Sequence, residues 1–235
     1  MKDALGDRMK EFYEDRTRIF LPRRTFTIIR IDGKAFHTYT KGLERPFDMQ
    51  LVKDMDETAC YLCKNIQGVK FAFVQSDEIS ILLTDFEKTT TDAWFDGNIQ
   101  KMASISASLA TAKFNELRPG KLALFDSRVF TIPSAIEVEN YFIWRQQDTV
   151  RNSISSVAQS LFSHKELERK NADQQQEMCF QKGVNWNDFN VILKRGRLIV
   201  KEEYKKEDAI RSRWTTINPP IFTQERNILA NLVML

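Results

Sequence analysis

Hydrophobic positions follow two periods along the chain, and the switches between them outline its elements. Thr25 to Ile31, "TFTIIRI", is rich in β-branched residues and reads as a strand. Val69 to Val74 and Ile79 to Leu83 are two more short strands, with only Gln75-Ser76-Asp77-Glu78 between them, a hairpin spacing. Lys121 to Ile132 reads as a fourth. Helical spacing marks Asp48 to Ile66, where Asp48 suits an N-cap. It also marks Asp92 to Leu117, whose small residues (Ala103, Ser104, Ser106, Ala107, Ser108, Ala110) permit close packing before Arg118-Pro119-Gly120 breaks the pattern. A charged helix is expected over 4–20, with Leu5, Met9, Phe12 and Phe20 near helical spacing and Pro22 ending it. Beyond the fourth strand come a long helix, Ser134 to Phe162, and another, Asp173 to Cys179. "RGRLIVKEEYKKEDAIRSRW" reads as a strand pair around a charged loop.

Over 25–132 the order is β-α-β-β-α-β, which is ferredoxin-like. The expected class is α+β. Residues 1–132 form an antiparallel sheet with helices packed on one face, preceded by the N-terminal helix. Residues 133–235 are a mainly helical extension packed on that core as part of one compact unit. In this order the first and third strands are central neighbours. Topology therefore brings Asp32, at the end of the first, beside Asp77 and Glu78 at the start of the third.

Charge and cysteine content narrow the classes. Lys plus Arg is 35 and Asp plus Glu 32, a formal net charge of +3 that permits a nucleic-acid partner without requiring one. No apolar run approaches the roughly 20 residues of a membrane span. The opening "MKDALGDRMKEFYEDR" lacks the apolar core of a secretory signal. A cytoplasmic protein without membrane partners is expected. Three cysteines argue against a disulfide framework. Cys60 and Cys63 form a C-x-x-C with no second pair, and are expected on the buried face of an amphipathic helix rather than on a metal.

The adjacent acids carry the chemistry. Neighbouring carboxylates repel unless something neutralises them. Mg²⁺ suits that role, because it takes one or two carboxylates plus waters and substrate phosphates. Two such ions, about 3.5–4 Å apart, activate an attacking hydroxyl and stabilise a leaving phosphate. Asp32 and Asp77 are the candidate ligands, and Gly33, lacking a side chain, lets its carbonyl approach an ion or phosphate. Lys34, Ala35, Phe36 and His37 turn away from the strand, where backbone N–H groups suit a triphosphate. Arg30, Lys34 and Arg45 add positive charge. This is the logic of phosphoryl or nucleotidyl transfer. Either acidic motif alone is also ordinary turn chemistry; their coincidence at neighbouring strand ends favours catalysis. A palm-type nucleotide cyclase and a non-catalytic tRNA-binding protein remain open alternatives. For RNA, Lys194, Arg195 and Arg197 head one basic stretch, and Arg16, Arg18, Arg23 and Arg24 form a second. Taken singly, each charge run is more often a solvated face.

Five motifs in order, Arg30–His37 ("RIDGKAFH"), Arg45–Asp48, Gln75–Ser80 ("QSDEIS"), Phe125–Arg128 and Trp144–Asp148 ("WRQQD"), resemble the tRNA-His guanylyltransferase family. The resemblance implies a polymerase-palm-like core with two Mg²⁺ ions. It makes Asp32 and Asp77 the metal carboxylates, Gly33 a backbone ligand and Glu78 a support of the metal site. Asp32 to His37 with Ser76 would line the triphosphate of ATP or GTP. It further implies a homotetramer, activation of a 5′-monophosphorylated tRNA end, and attack by the 3′-hydroxyl of the incoming nucleotide. Members that add one guanosine to tRNA-His carry H-I-N-N-L-Y-N soon after W-R-Q-x-D. Here "TVRNSISSVAQ" follows Asp148, and only Asn152 survives as an RNA-binding candidate. The chain instead resembles the guanylyltransferase-like branch of bacteria, archaea and phages, which implies templated 3′-to-5′ repair of 5′-truncated tRNA. Single-guanosine addition is the alternative. Arg45 stands where lysine is common, and the two are not equivalent at phosphates.

Overall fold

Pairing on both sides, at Asp32 with Glu78 and Asp126 and at Gly33 with Phe125, carries the first strand further than its apolar run. In the computed structural model, which describes residues 3–207 and 209–234, it spans Phe26–Gly33 (β1). Before it, α1 (Ala4–Met9) continues through one π-type turn and a 3₁₀ turn to Thr17. After it come α2 (Phe36–Tyr39), α3 (Met49–Asn65), β2 (Val69–Gln75), β3 (Glu78–Leu83), α4 (Ile99–Leu117) and β4 (Phe125–Ile132). The remainder holds α5 (Ala135–Leu161), α6 (His164–Leu167), α7 (Ala172–Gln181), α8 (Val191–Arg195), β5 (Arg197–Lys206), β6 (Ala209–Ile217) and α9 (Arg226–Met234).

The sheet order is β4-β1-β3-β2-β5-β6, and every pairing is antiparallel. Its first four strands have the expected ferredoxin-like order, and β5 and β6 extend the same sheet beyond β2. The region after residue 132 thus contributes two strands as well as helices.

Period-two alternation builds two cores from the same strands. Ile29 and Ile31 of β1, Ala72 and Val74 of β2, and Ile79 and Ile81 of β3 face α3 and α4. Phe26 and Ile28, Phe71 and Phe73, and Leu82 face the other way, against Val138, Tyr141 and Phe142 of α5 and Leu229 and Val233 of α9. Helices therefore cover both faces: the expected face by α3 and α4, the other by the C-terminal helices.

Three expected elements differ. The helix expected from Asp92 starts at Ile99, because Phe95 and Asp96 have φ of +51° and +52° and Asn98 caps α4 by accepting from Lys101 N–H at 3.0 Å. The strand expected from Lys121 starts at Phe125. Before it, Ala123 N–H and C=O bond the Asn115 side chain, and Lys121 Nζ donates to Thr38 O at 2.9 Å. The stripe Leu5, Met9, Phe12 and Phe20 is exposed instead of packed. Asp48 does cap α3, accepting from Leu51 N–H at 2.7 Å. Cys63 is buried and Cys60 half-buried; loss of solvation pushes the Cys60 thiol up to about 11, so neither is a ready thiolate. Among the described residues no helix is long and apolar enough to cross a membrane.

Candidate active site

On the face toward α5, each central strand turns from apolar to polar at the same level. β1 runs Phe26, Ile28, Arg30, Asp32; β3 runs back Leu82, Ser80, Glu78; β2 runs Phe71, Phe73, Gln75. Registers Arg30↔Ser80, Asp32↔Glu78 and Gln75↔Glu78 lock these into one polar layer. The stripe of α5 changes with it, from Val138, Tyr141 and Phe142 to Arg145, Asp148 and Thr149. Thr149 Oγ1 donates to the Gln75 side-chain oxygen, and Ser80 Oγ lies 3.0 Å from Tyr141 Oη. One cleft of about 610 Å³ opens along this layer, and the segment 40–52 forms its other wall.

The hairpin Gln75–Glu78 has two turn residues, Ser76 (φ +44°) and Asp77. Gly33 N–H donates to the Asp77 carbonyl at 3.2 Å, so the end of β1 is fastened to this turn. Topology thus brings Asp32, Asp77 and Glu78 together as their strand order requires, all on the cleft.

The three acids differ in compensation. Glu78 is buried and receives Arg145 Nε at 2.8 Å and Nη2 at 2.7 Å, Arg30 Nη2 at 2.7 Å and the Ser80 hydroxyl at 3.1 Å. It is an anchored carboxylate in an ion-pair network that also takes in Asp148, 2.9 Å from Arg145. Asp32 has one cation nearby in ion-pair range, Arg128 Nη2 at 3.9 Å, which is itself largely exposed. Burial and the Glu78 charge raise its pKa against the opposing pull of Arg30. Asp77 is pushed up to about 6, chiefly by burial; its backbone and Ser76 hydrogen bonds pull the other way, and Asp32 and Glu78 add to the rise. Two carboxylates at the cleft therefore lack a counter-charge equal to that of Glu78.

Two uncompensated carboxylates beside the Gly33 backbone form a hard-oxygen set that fits Mg²⁺. Among the described residues no group of three or more His, Cys, Asp or Glu side chains is arranged around a metal, so carbonyl, water or phosphate oxygens would complete the shell.

Of the other candidates, Arg30, His37, Arg45, Ser76 and Asn152 line the cleft. Lys34 and Ala35 are exposed outside its lining, and Ala35 takes the left-handed conformation (φ +54°) that starts α2. Phe36 faces inward, packed on Tyr39, Phe114 and Phe125, so only its backbone is free for a ligand. A Cβ on Gly33 would lie 2.2 Å from the Phe36 ring, so this glycine is required by packing whatever binds beside it.

Two RNA candidates are internal. Lys194 Nζ donates to Asn187 O at 2.6 Å over the Trp186 ring, and loss of solvation lowers its pKa. Arg197 is buried at the α3 side of the cleft, its Nε bonded to Asp56 at 2.7 Å. Neither is a surface cation tracking phosphates. Arg195 is half-buried. In the second basic group, Arg23 bonds Asp85 at 2.8 Å and Asp96 at 2.8 Å, and Arg24 donates to Thr89 O at 2.7 Å, so both tie loops together. From the sequence, Arg145 and Asp148 stand only inside the motif Trp144–Asp148, with no role of their own, and Thr149 lies outside it. The signal was available: Arg145 sits three and four positions beyond Phe142 and Tyr141, on the buried stripe of a long helix.

The profile of a family described as tRNAHis guanylyltransferase (Thg1) matches residues 6–133. A solved bacterial Thg1-like protein in complex with ATP has TM-score 0.89 and 48% identity to this chain, covering 99% of it and 100% of the other. A complex of such a protein with GTP has TM-score 0.88 at 49% identity, with the same coverage. The tRNA(His) guanylyltransferase of Eremothecium gossypii is 31% identical over 199 residues, 74% of this chain and 82% of that protein.

Proposed function

The chain belongs to the tRNAHis guanylyltransferase family and is a nucleotidyltransferase acting on tRNA, and on that premise we propose that it extends tRNA 5′ ends in the 3′-to-5′ direction, repairing truncated ends against the opposing strand. The observation that carries the reading is the unequal compensation of the three acids. Glu78 is held by Arg30 and Arg145, whereas Asp32 and Asp77 face the cleft without matching cations. An enzyme keeps such a pair, despite the repulsion, where charge must be met by something that arrives.

In this reading Asp32, Asp77 and the Gly33 carbonyl would hold Mg²⁺. When bound, the metal supplies Lewis-acid stabilisation of the transferring phosphate. Glu78 does not bind directly; it fixes Arg30 and Arg145 and thereby the ends of β1 and β3. Ser76, His37, Arg30 and Arg45 line the cleft where a triphosphate of ATP or GTP fits. Arg145 keeps the Glu78 carboxylate from adding a third negative charge to the metal pair. Asn152 and Arg195 are RNA contacts farther along the cleft and at α8. The exposed stripe Leu5, Phe12 and Phe20 supports self-association, in this reading as a tetramer. The enzyme then works in the cytoplasm with its RNA and nucleotide substrates. The absence of H-I-N-N-L-Y-N after Asp148 supports repair over single-guanosine addition.

The test is labelled-nucleotide addition to 5′-monophosphorylated tRNAs, intact or lacking the 5′ residue. Addition complementary to the opposing base establishes templated repair; one G added to intact tRNAHis alone refutes it.

A further inference from the structure

Next to Arg145, which lines the cleft, α5 carries an aromatic ring that no catalytic step has used. Of the four tryptophans, Trp94 and Trp186 are buried and Trp214 is half-buried, whereas Trp144 is 46% exposed. Trp144 is not loosely placed. The Arg145 guanidinium lies over its ring, 4.4 Å from the centroid, and Tyr141 meets it edge-on at 5.8 Å. Arg145 is itself 97% buried by side chain and clamped to Glu78 and Asp148, and Tyr141 bonds Ser80. A contiguous run of contacts thus joins Trp144 through Arg145 and Glu78 to the strand partner of Glu78, Asp32. Arg128, on the strand next to Asp32, is 58% exposed by side chain and adds a cation there, 3.9 Å from Asp32 and 3.8 Å from Asp126.

A rigidly backed, solvent-facing indole beside cations is a stacking surface for nucleobases, since every base offers a π-face and a phosphate neighbour. We propose that Trp144 is the platform on which the terminal nucleobase of the RNA 5′ end stacks, with Arg128 beside its phosphate. This rests on the proposed tRNA 5′-end activity and adds the group that seats the RNA. The Arg145 cation behind the indole polarises it and holds its plane. The platform orients the RNA end; Trp144 is a positioning residue and takes no part in proton or phosphoryl transfer.

The experiment reads tryptophan emission while a 5′-monophosphorylated RNA hairpin, built as an acceptor-stem mimic, is titrated into the protein in EDTA, where no turnover occurs. Saturable quenching is expected in the wild type and its loss in Trp144→Phe. Trp144→Phe keeps RNA affinity near wild type, because phenylalanine still stacks, while Trp144→Ala binds on the order of tenfold more weakly. Quenching that persists in Trp144→Phe, unchanged RNA affinity in Trp144→Ala, or the same quenching by ATP alone would each overturn the platform. Nucleotide addition is assayed separately in Mg²⁺ on the same RNA. Addition without quenching overturns the platform and leaves the activity standing; quenching without addition supports the platform and removes the activity.

Discussion

Asp77→Asn should make the metal-free protein more stable while removing its activity. Burial and its neighbours raise the Asp77 carboxyl from an ordinary 3.8 to about 6. A displacement of about two units, at about 1.4 kcal/mol each, corresponds to an upper figure near 3 kcal/mol. Asp77 is partly open to solvent, which screens the effect, so about 1–3 kcal/mol is expected. The sign follows from proton linkage: with the folded pKa above the unfolded one, the native state keeps its proton longer. Stability therefore falls as pH rises from about 4 to about 6, and the penalty is fully present at pH 7. Asparagine keeps the shape and drops the charge. Urea unfolding in EDTA should give Asp77→Asn and wild type equal stability near pH 4, and Asp77→Asn the advantage at pH 7. Added Mg²⁺ should stabilise the wild type more than the variant, because binding to the native state alone raises its stability. A variant less stable than wild type at pH 7, or an equal difference at both pH values, would refute the claim that Asp77 carries an unmet charge.

The other acids behave differently. Glu78→Gln leaves Arg145 and Arg30 in a buried site with a neutral partner, so it should destabilise by about 3–5 kcal/mol and lower Tm on the order of 10 °C in a thermal melt. An unchanged Tm would show that Glu78 is not the anchor. Asp32→Ala and Asp77→Ala should each abolish nucleotide addition to 5′-truncated tRNA with native circular dichroism; retained addition in either sinks the metal assignment. Gly33→Ala should destabilise by about 1–3 kcal/mol, because its Cβ meets a Phe36 ring that is packed among Tyr39, Phe114 and Phe125. Wild-type stability in that variant would mean the ring can move aside.

Local signals made most of the fold legible. β-branched runs broken by a four-residue polar stretch fixed the hairpin, and two helical stretches between strands fixed the order, from which the meeting of Asp32 with Asp77 and Glu78 followed. Asp48 revealed itself as a cap because carboxylate capping is a nearest-neighbour effect. What stayed hidden depends on long-range packing. Lys194 and Arg197 look like surface cations in a basic run, yet α8 and the start of β5 bury them against Asn187 and Asp56. Charge alone carries no record of burial. The start of α4 stays hidden because Asp92 to Asp96 suit a helix by composition, while left-handed backbone at Phe95 and Asp96 is set by the fold around them. In the sequence Gly33 offers room for a ligand; its neighbour Phe36 gives a second reason that only the packed core reveals.

The bond from Arg145 to Glu78 joins residues 67 positions apart. On a chain emerging from the ribosome, the whole β-α-β-β-α-β block is synthesised before α5. Until then Glu78 has only Arg30 beside it, and the apolar row Phe26, Ile28, Phe71, Phe73 and Leu82 has no cover. α5 is therefore a late latch: Val138, Tyr141 and Phe142 close the exposed hydrophobic face, and Arg145, one turn further on, delivers the second cation to Glu78. A polypeptide truncated before residue 145 would carry Asp32 and Asp77 but lack the Arg145 bonds to the Glu78 beside them.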